Sequence, residues 1–261
     1  MIPETYLLEW HQKAPWRNLH MVEQDLILNR VLCCIYSHPL LSKKLIFRGG
    51  TALNKIYITP PARYSEDIDF VQKNAEPIGE TLNTIRDVLQ DWLGDPAWLL
   101  TERSAKLFYK YTNIEGFTSK IKIEINTTEH FNVLPICEAP LSTHSGWFTG
   151  DCTLKTYALE ELMATKLRAL YQRRKGRDLF DLWFVFNNTP ADLKKTLTVF
   201  KAYAAYGKLE ISADLFKKNL DKKRLNHDFQ TDMDILLPQT LHWNFEEAFE
   251  FVKLNIIDKI I

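Results

Sequence analysis

Two short stretches most constrain what this chain folds into, because each joins a strand-like run to residues that bind charged groups. Gly49-Gly50-Thr51 follows the apolar run 45–47, and Asp67-Ile68-Asp69 begins another strand-like run a short way further on. Successive side chains of a strand point to opposite faces, so Asp67 and Asp69 project from one face about 7 Å apart along the chain. The pattern predicts a sheet with one buried face and one face that carries a site.

Together the two stretches predict a site for a metal ion and a phosphate group. Paired carboxylates suit a divalent cation with oxygen ligands, typically Mg²⁺. Glycines let a phosphate approach the backbone, and the free N–H groups of a following helix attract it, with Thr51 as the expected cap of that helix. Phosphoryl or nucleotidyl transfer is the simplest chemistry that needs both parts. The alternative for the glycines alone is a tight strand–helix connection.

A third carboxylate lies in a strictly alternating segment. Three isoleucines alternate with Lys122, Glu124 and Asn126, so the isoleucines face a core and the polar residues take the opposite face. If this strand lies beside the strand of Asp67 and Asp69, Glu124 joins the same cluster. Three carboxylates can hold two Mg²⁺ ions. The alternative for Glu124 is a solvated sheet face.

A basic helical segment in the second half of the chain is the fourth element. Lys166 and Arg173 are spaced to share a helix face, while Gly176 predicts a break before Arg177. Cations here would bind a triphosphate, and two aspartates would orient the arginines, namely Asp178 and Asp181. The alternative is a solvated basic helix with ion pairs between neighbouring turns.

Size and composition bound the class of protein. With 261 residues, 46% of them hydrophobic, the chain can form one large domain or two small ones. The net charge of zero provides no overall field that attracts nucleic acid. The four cysteines include no CxxC pair, so we expect reduced thiols in a cytoplasmic protein. The first residues do not resemble a signal peptide, and no apolar run is long enough to span a membrane.

Hydrophobic periodicity predicts a mixed α/β core followed by helices. Helices are expected over 22–38, 51–57 and 78–93, and strands over 45–47, 67–71, 97–102, 106–113 and 119–126. Residues 127–150 look rich in loops, and the pattern from residue 159 onward is almost entirely helical. The predicted fold class is α+β, with a core over residues 1–150 and a helical domain over 151–261 that contributes to the active site.

These motifs together resemble the AbiEii/AbiGii family of nucleotidyltransferase toxins, within the DNA polymerase β-like superfamily. Residues 49–51 with Asp67 and Asp69 match the family's first motif. Lys122 and Glu124 match the second, Lys-x-Asp or Lys-x-Glu, where some relatives have Asp at the last position.

Two further motifs extend the resemblance over roughly residues 22–235. The third, Lys-x-x-Ala-Leu-x-x-Arg-x-x-x-Arg-Asp, is matched in full from Lys166 to Asp178 and is the most specific. The fourth, Phe-x-x-Asp, is matched by residues 229–232.

The resemblance implies a polymerase β-like core with a mixed sheet, two Mg²⁺ ions, and a role for each matched residue. The implied metal ligands are Asp67, Asp69 and Glu124, and with Lys166 they form the implied catalytic set. The implied nucleotide-binding residues are Gly49, Gly50, Thr51, Ser65, Lys166, Arg173 and Arg177. Five further residues are implied to position these side chains without touching the substrate themselves: Arg63, Lys122, Asp178, Asp181 and Asp232.

The resemblance also implies substrates and partners. A nucleoside triphosphate would be the donor, the 3′ end of tRNA the acceptor, and a separately encoded antitoxin would relieve growth arrest. One alternative keeps the fold but transfers the nucleotide to a protein hydroxyl, for example on the antitoxin. A second alternative is a GTP-binding module without turnover.

A nucleic-acid acceptor requires a basic surface, and the C-terminal half supplies candidates. These are Lys194, Lys195, Lys217, Lys218, Lys222, Lys223 and Arg224, with Tyr203, Tyr206 and Phe216 interleaved for stacking on bases. The alternative is a set of solvated helix faces whose aromatic residues belong to the core.

Overall fold

The computed structural model describes residues 2–260, which form two compact units. The first unit runs to Asn132 and takes in Ile136–Tyr157, and the second comprises Val133–Pro135 and the chain from Ala158 onward. The first unit thus extends past the boundary expected at residue 150, because the strand Thr149–Thr156 continues its sheet. The outermost residues of the two expected domains, 1 and 261, lie outside the described residues. Among helices of the described part, none combines the length and apolar character needed to cross a membrane.

The first unit is a seven-stranded mixed sheet with helices. Its helices are α1 (Glu4–His11), α2 (Leu19–Ser37), α3 (Pro39–Lys44), α4 (Gly49–Ala52), which continues as a π-helical turn (Leu53–Tyr57), and α5 (Gly79–Leu93). Its strands are β1 (Leu45–Arg48), β2 (Asp67–Gln72), β3 (Ala97–Leu100), β4 (Ser104–Thr112), β5 (Thr118–Asn126), β6 (Cys137–His144) and β7 (Thr149–Thr156). The strand order is β3-β4-β5-β2-β1-β7-β6, with β2–β5 and β1–β7 parallel and the other pairs antiparallel.

One face of this sheet is buried, as the alternating pattern predicts. Ile68 and Phe70 on β2 and the three isoleucines of β5 are at most 1% exposed. The ring of Tyr36 on α2 packs 6.1 Å from the ring of Phe70, so α2 lies against this face. The polar residues between these apolar positions therefore project from the opposite face.

Two local expectations were wrong. Residues 127–150 are not mainly loop, because they contain β6 and the start of β7. These two strands, of which β6 is at the edge of the sheet, carry few large apolar residues, so their alternation is weak in the sequence. Thr51 does not cap its helix, because α4 already begins at Gly49 with Arg48 at the cap position. The Thr51 hydroxyl instead hydrogen bonds with the Ser65 hydroxyl at 2.8 Å and donates to the carbonyl oxygen of Asp67.

The second unit is helical, as expected. It consists of α6 (Leu159–Gln172), α7 (Gly176–Asn188), α8 (Leu193–Tyr206), α9 (Ala213–Arg224), α10 (His227–Thr231) and α11 (Phe245–Phe251), then a π-helical turn (Val252–Ile256) and a 3₁₀ turn (Ile257–Lys259). The break predicted at Gly176 is confirmed, because α6 stops at Gln172 and α7 starts at Gly176. A Cβ atom at Gly176 would lie 2.4 Å from the backbone oxygen of Phe229, which explains why glycine is required.

Gly176→Ala should lower the free energy of unfolding by about 1–3 kcal/mol, because backbone atoms cannot move aside as a flexible side chain can. Gly79→Ala is the matched control, since Gly79 also begins a helix and a Cβ there meets no atom within 4 Å. That change should be neutral or stabilising by up to about 1 kcal/mol. Urea denaturation of both variants measures the difference. Equal stability of the two variants would contradict the packing account.

Candidate active site

Three adjacent strands bring the predicted acidic residues of the first unit together. In the parallel pair β2–β5, Asp67 is opposite Lys122 and Asp69 is opposite Glu124. In the antiparallel pair β1–β2, Arg48 is opposite Asp69. Residues opposite each other in neighbouring strands share a face, so this row of charged side chains lies on the face away from α2.

Lysine side chains occupy the space between the carboxylates. The Lys122 ammonium lies 2.9 Å from Oδ2 of Asp67 and 3.3 Å from Oε2 of Glu124. The other Glu124 oxygen is 3.2 Å from the Lys106 ammonium and accepts a 3.0 Å hydrogen bond from Ser104. Accordingly, no group of three or more His, Cys, Asp or Glu side chains in residues 2–260 is arranged to hold a metal ion. The strands converge as predicted, but the three carboxylates do not form a preformed metal cluster.

The electrostatics differ between Asp69 and Glu124. Burial raises the pKa of Asp69, the nearby Asp67 carboxylate raises it further, and Lys122 and Arg48 offset only part of this. Burial acts in the same direction on Glu124, but Lys122, Lys106 and Ser104 outweigh it and lower the pKa of that carboxyl group. The negative charge of Asp69 is therefore only partly compensated by neighbouring cations, whereas that of Glu124 is well compensated.

These observations fit a divalent cation held by Asp67 and Asp69. Both supply hard oxygen ligands from one face, and the raised pKa of Asp69 indicates that added positive charge would favour its ionised form. Lys122 places a positive charge between Asp67 and Glu124 and offsets part of their negative charge. Glu124 fits a supporting role better than that of a direct ligand, since both its oxygens have partners.

The glycine turn is packed tightly against this acidic row. Gly49 has φ = +82°, a left-handed conformation, and a Cβ there would lie 2.5 Å from Oδ2 of Asp69. A Cβ on Gly50 would lie 2.5 Å from an Arg63 guanidinium nitrogen and 3.1 Å from the Ser65 hydroxyl. The two glycines are thus required by close approach to the residues of the second stretch, besides the phosphate role that the sequence predicts.

Sequence reasoning missed Asn54, which ties the two stretches together. Its side-chain amide donates to the Gly50 carbonyl oxygen at 3.0 Å, and its side-chain oxygen accepts from the backbone N–H groups of Ala62 and Arg63, each at 3.2 Å. The Arg63 side chain is 1% exposed and donates to the Tyr64 carbonyl oxygen. No signal in the sequence pointed to this role, because the burial of Asn54 and its contacts appear only in the folded chain. Arg48, Ser104 and Lys106 were also missed.

In the second unit, a buried ion network organises the third motif. The Lys166 ammonium lies 3.2 Å from Asp178 and 2.9 Å from Asp181, and both aspartates are fully buried. Arg173 binds Asp178 with two hydrogen bonds of 2.7 and 2.9 Å, while its own side chain stays 54% exposed. Burial alone would raise the pKa of Asp178, but Lys166 and Arg173 lower it below its ordinary value. The network therefore fixes the direction of an exposed guanidinium group.

The fourth motif packs directly on the third. The Asp232 carboxylate accepts a 2.9 Å hydrogen bond from the backbone N–H of Arg177, and its distance to the Arg177 side chain is 3.6 Å. With Phe229 against Gly176, both matched residues of the Phe-x-x-Asp motif contact the start of α7. The short match of residues 229–232 thus coincides with a structural contact.

The model of the nucleotidyl transferase AbiEii toxin family, from type IV toxin–antitoxin systems, matches residues 30–251. This chain belongs to that family. Its members are nucleotidyltransferases, and the predicted enzyme class is confirmed. The family also implies a nucleoside triphosphate substrate and a separate antitoxin partner.

Solved structures share the fold of this AbiEii chain. MenT4, a nucleotidyltransferase toxin from Mycobacterium tuberculosis, aligns with a TM-score of 0.65 and 18% identity over 98% of this chain and 90% of that one. JHP933 from Helicobacter pylori aligns with a TM-score of 0.57 and 18% identity over 94% of each chain. The predicted fold class is confirmed. No curated protein matches the chain by sequence.

The basic surface expected on the helical unit of this AbiEii chain is smaller than the sequence suggests. Tyr203 and Phe216 are fully buried, so neither stacks on a base. Lys223 is 5% exposed and donates to carbonyl oxygens at the end of α6, those of Leu170 and Tyr171. Three other cations pair with acidic residues, namely Lys195, Lys217 and Arg224. Lys195 stays exposed despite its ion pair, and so do Lys194, Lys218, Lys222 and Tyr206.

Asp178→Asn should lower the free energy of unfolding at neutral pH by about 3 kcal/mol, because it removes one charge from a buried network. Asp221→Asn is the control, since Asp221 pairs with Lys253 at the surface and its loss should cost under about 1 kcal/mol.

The effect of Asp178→Asn should also depend on pH. The folded pKa of Asp178 lies below its ordinary value of 3.8, so its contribution is complete above that value and is lost as pH falls through the folded pKa. Urea unfolding at neutral and at strongly acidic pH should therefore show the difference between wild type and variant shrinking in acid. A difference that stays constant or grows in acid would contradict the network.

Proposed function

We propose that this toxin is a Mg²⁺-dependent enzyme that transfers a nucleoside monophosphate from a nucleoside triphosphate to the 3′ end of tRNA, and that this arrests growth. The observation that carries the proposal is the row of Asp67, Asp69 and Glu124 on one face of the sheet, beside the Gly49 turn. Nucleotidyl transfer requires negative charge to be compensated at the phosphates, and this face combines carboxylates with adjacent cations.

In this proposal, Asp67 and Asp69 hold Mg²⁺ and Glu124 completes the acidic set. When bound, the ion neutralises phosphate charge and favours deprotonation of the acceptor hydroxyl. Lys122, Lys106 and Ser104 hold Glu124 in place and lower its pKa, which favours the ionised carboxylate. The donor phosphates lie next to the backbone of Gly49 and Gly50 and the hydroxyl groups of Thr51 and Ser65. Arg63 packs against Gly50 and holds the turn in place.

The helical unit contributes cations in the same proposal. Asp178 positions Arg173, whose half-exposed guanidinium group can bind the triphosphate with two hydrogen bonds. Arg177, held by Asp232, is the second such group. Lys166, a member of the implied catalytic set, is buried between Asp178 and Asp181. Its first effect in this arrangement is to maintain the orientation of Arg173.

The acceptor is the part of the proposal that rests most on the family resemblance. The exposed lysines of the helical unit provide limited positive charge for tRNA. A protein hydroxyl, for example on the antitoxin, is the competing acceptor. We place the protein in the cytoplasm, where tRNA and nucleoside triphosphates occur.

Incubating the full chain with each labelled triphosphate, Mg²⁺ and separate tRNA and protein fractions identifies the acceptor. We expect label at tRNA 3′ ends, mapped by sequencing, with pyrophosphate released in equal amount. Label confined to protein would replace tRNA with a protein acceptor. Nucleotide binding without pyrophosphate release would contradict transfer altogether.

Asp67→Asn should reduce transfer by at least about 100-fold, because it removes an oxygen ligand and negative charge from the acidic row. Asp91→Asn, on the exposed face of α5, is the control and should retain full activity. Circular dichroism checks that both variants are folded, and pyrophosphate release measures the rate. Full activity in a folded Asp67→Asn variant would refute the assignment.

A further inference from the structure

A basic strip, formed by Phe108, Lys110 and Lys120, continues the acidic face of the sheet onto β4 and the start of β5. In the antiparallel pair β4–β5, Lys110 is opposite Lys120 and Phe108 is opposite Lys122. Lys122 is in turn opposite Asp67 on β2. Residues opposite each other in neighbouring strands share a face, so the basic strip lies on the same face as the acidic row.

The stability of the sheet does not explain the two lysines of the basic strip. Like charges directly opposite each other in neighbouring strands are destabilising. Lys110 and Lys120 are both exposed, and neither forms an ion pair within residues 2–260. Lys122, by contrast, pairs with Asp67 and Glu124. The Lys110–Lys120 pair therefore destabilises the folded chain, and a bound anion would offset the repulsion.

Phe108 adds an aromatic ring between these cations. It is only partly buried, whereas its neighbours Leu107 and Tyr109, on the other face of the sheet, are fully buried. The Lys120 ammonium lies 5.8 Å from the centre of the Phe108 ring. On the side of β3, the residue opposite Phe108 is Ala97, whose side chain is too small to cover the ring. Single-stranded nucleic acids bind to such a combination, with bases stacked on the ring and phosphates next to the cations.

The distance between the ring and the acidic row suits an RNA strand that ends at that row. Neighbouring strands are about 4.8 Å apart, so Phe108 lies about 10 Å from Asp67, across β5. Stacked nucleotides rise by about 3.4 Å each. An acceptor whose terminal hydroxyl lies at Asp67 and Asp69 therefore has its preceding bases within reach of Phe108.

We propose that the basic strip binds the single-stranded 3′ end of the RNA acceptor, with a base stacked on Phe108 and phosphates bound by Lys110 and Lys120. This assignment rests on the transfer proposed above and names the surface that the acceptor uses. It places the acceptor on β4 and β5 rather than on the exposed lysines of the helical unit.

Fluorescence anisotropy of the full chain tests the basic strip, with two labelled RNA hairpins as probes. One hairpin carries a short single-stranded 3′ end and the other has a blunt end. EDTA is present and triphosphate is left out, so that binding is measured without transfer. We expect the hairpin with the single-stranded end to bind more tightly than the blunt hairpin.

Three substitutions in the basic strip should weaken this binding by about fivefold or more. Lys110→Glu and Lys120→Glu each place a negative charge next to phosphate, and each should also reduce the slope of log affinity against log salt by about 0.7. Phe108→Leu removes the ring but keeps apolar volume. Phe108→Tyr should retain binding, because an aromatic ring remains for stacking.

Two controls separate RNA binding from effects on folding. Lys43→Glu makes the same charge change at an exposed lysine on α3 and should leave binding unchanged. Urea denaturation should show that Lys110→Glu is at least as stable as wild type, since the change removes a like-charge pair.

The outcomes distinguish this surface from the transfer reaction. Equal binding of the two hairpins, or binding that survives all three substitutions, would overturn the basic strip as the acceptor surface. Transfer of label to RNA by the wild type would then leave the transfer proposal standing. Binding that depends on the basic strip, without transfer once Mg²⁺ and each triphosphate are added, would support the surface and contradict the transfer.

Discussion

The parallel pairing of β2 with β5 is the constraint on which the site of the first unit depends. Because the side-chain period of a strand is two residues, a slip of one residue would bury Lys122 and Glu124 and expose the isoleucines. The buried isoleucines and the apolar residues of β2 therefore fix the register through the hydrophobic effect. That register alone places Asp67 beside Lys122 and Asp69 beside Glu124.

A second constraint is charge compensation within each unit. In the first unit, Lys122 lies between two carboxylates, and in the second, Lys166 lies between two buried aspartates. A buried charge without a partner is strongly destabilising. Each lysine therefore reduces the energetic cost of placing two carboxylates close together in the folded chain. The difference is exposure, because Asp178 and Asp181 are inaccessible, whereas Asp67 and Glu124 remain partly exposed. Of the two sets, the first is the one that a ligand from solvent can reach.

Elements with strong hydrophobic periodicity could be predicted from the sequence. Elements whose position depends on contacts with other parts of the chain could not. The alternation of β5 and the break at Gly176 were readable because each depends on local spacing. The β6–β7 hairpin was not, because its residues are mostly polar, and the pairing that adds it to the sheet, between β7 and β1, is non-local. In the site, the motif residues were readable as types, but the ion pairs of Lys122 and Lys106 depend on strand order. The burial of Tyr203 and Phe216 likewise depends on packing that one helix cannot reveal.

Anomalous diffraction from crystals of the full chain soaked with Mn²⁺ and a non-hydrolysable nucleoside triphosphate tests the central claim most directly. We expect an anomalous peak within about 2–2.5 Å of oxygens from both Asp67 and Asp69. We also expect the Lys122 ammonium to move away from its 2.9 Å contact with Asp67. A peak remote from both aspartates, with that contact unchanged, would contradict the account.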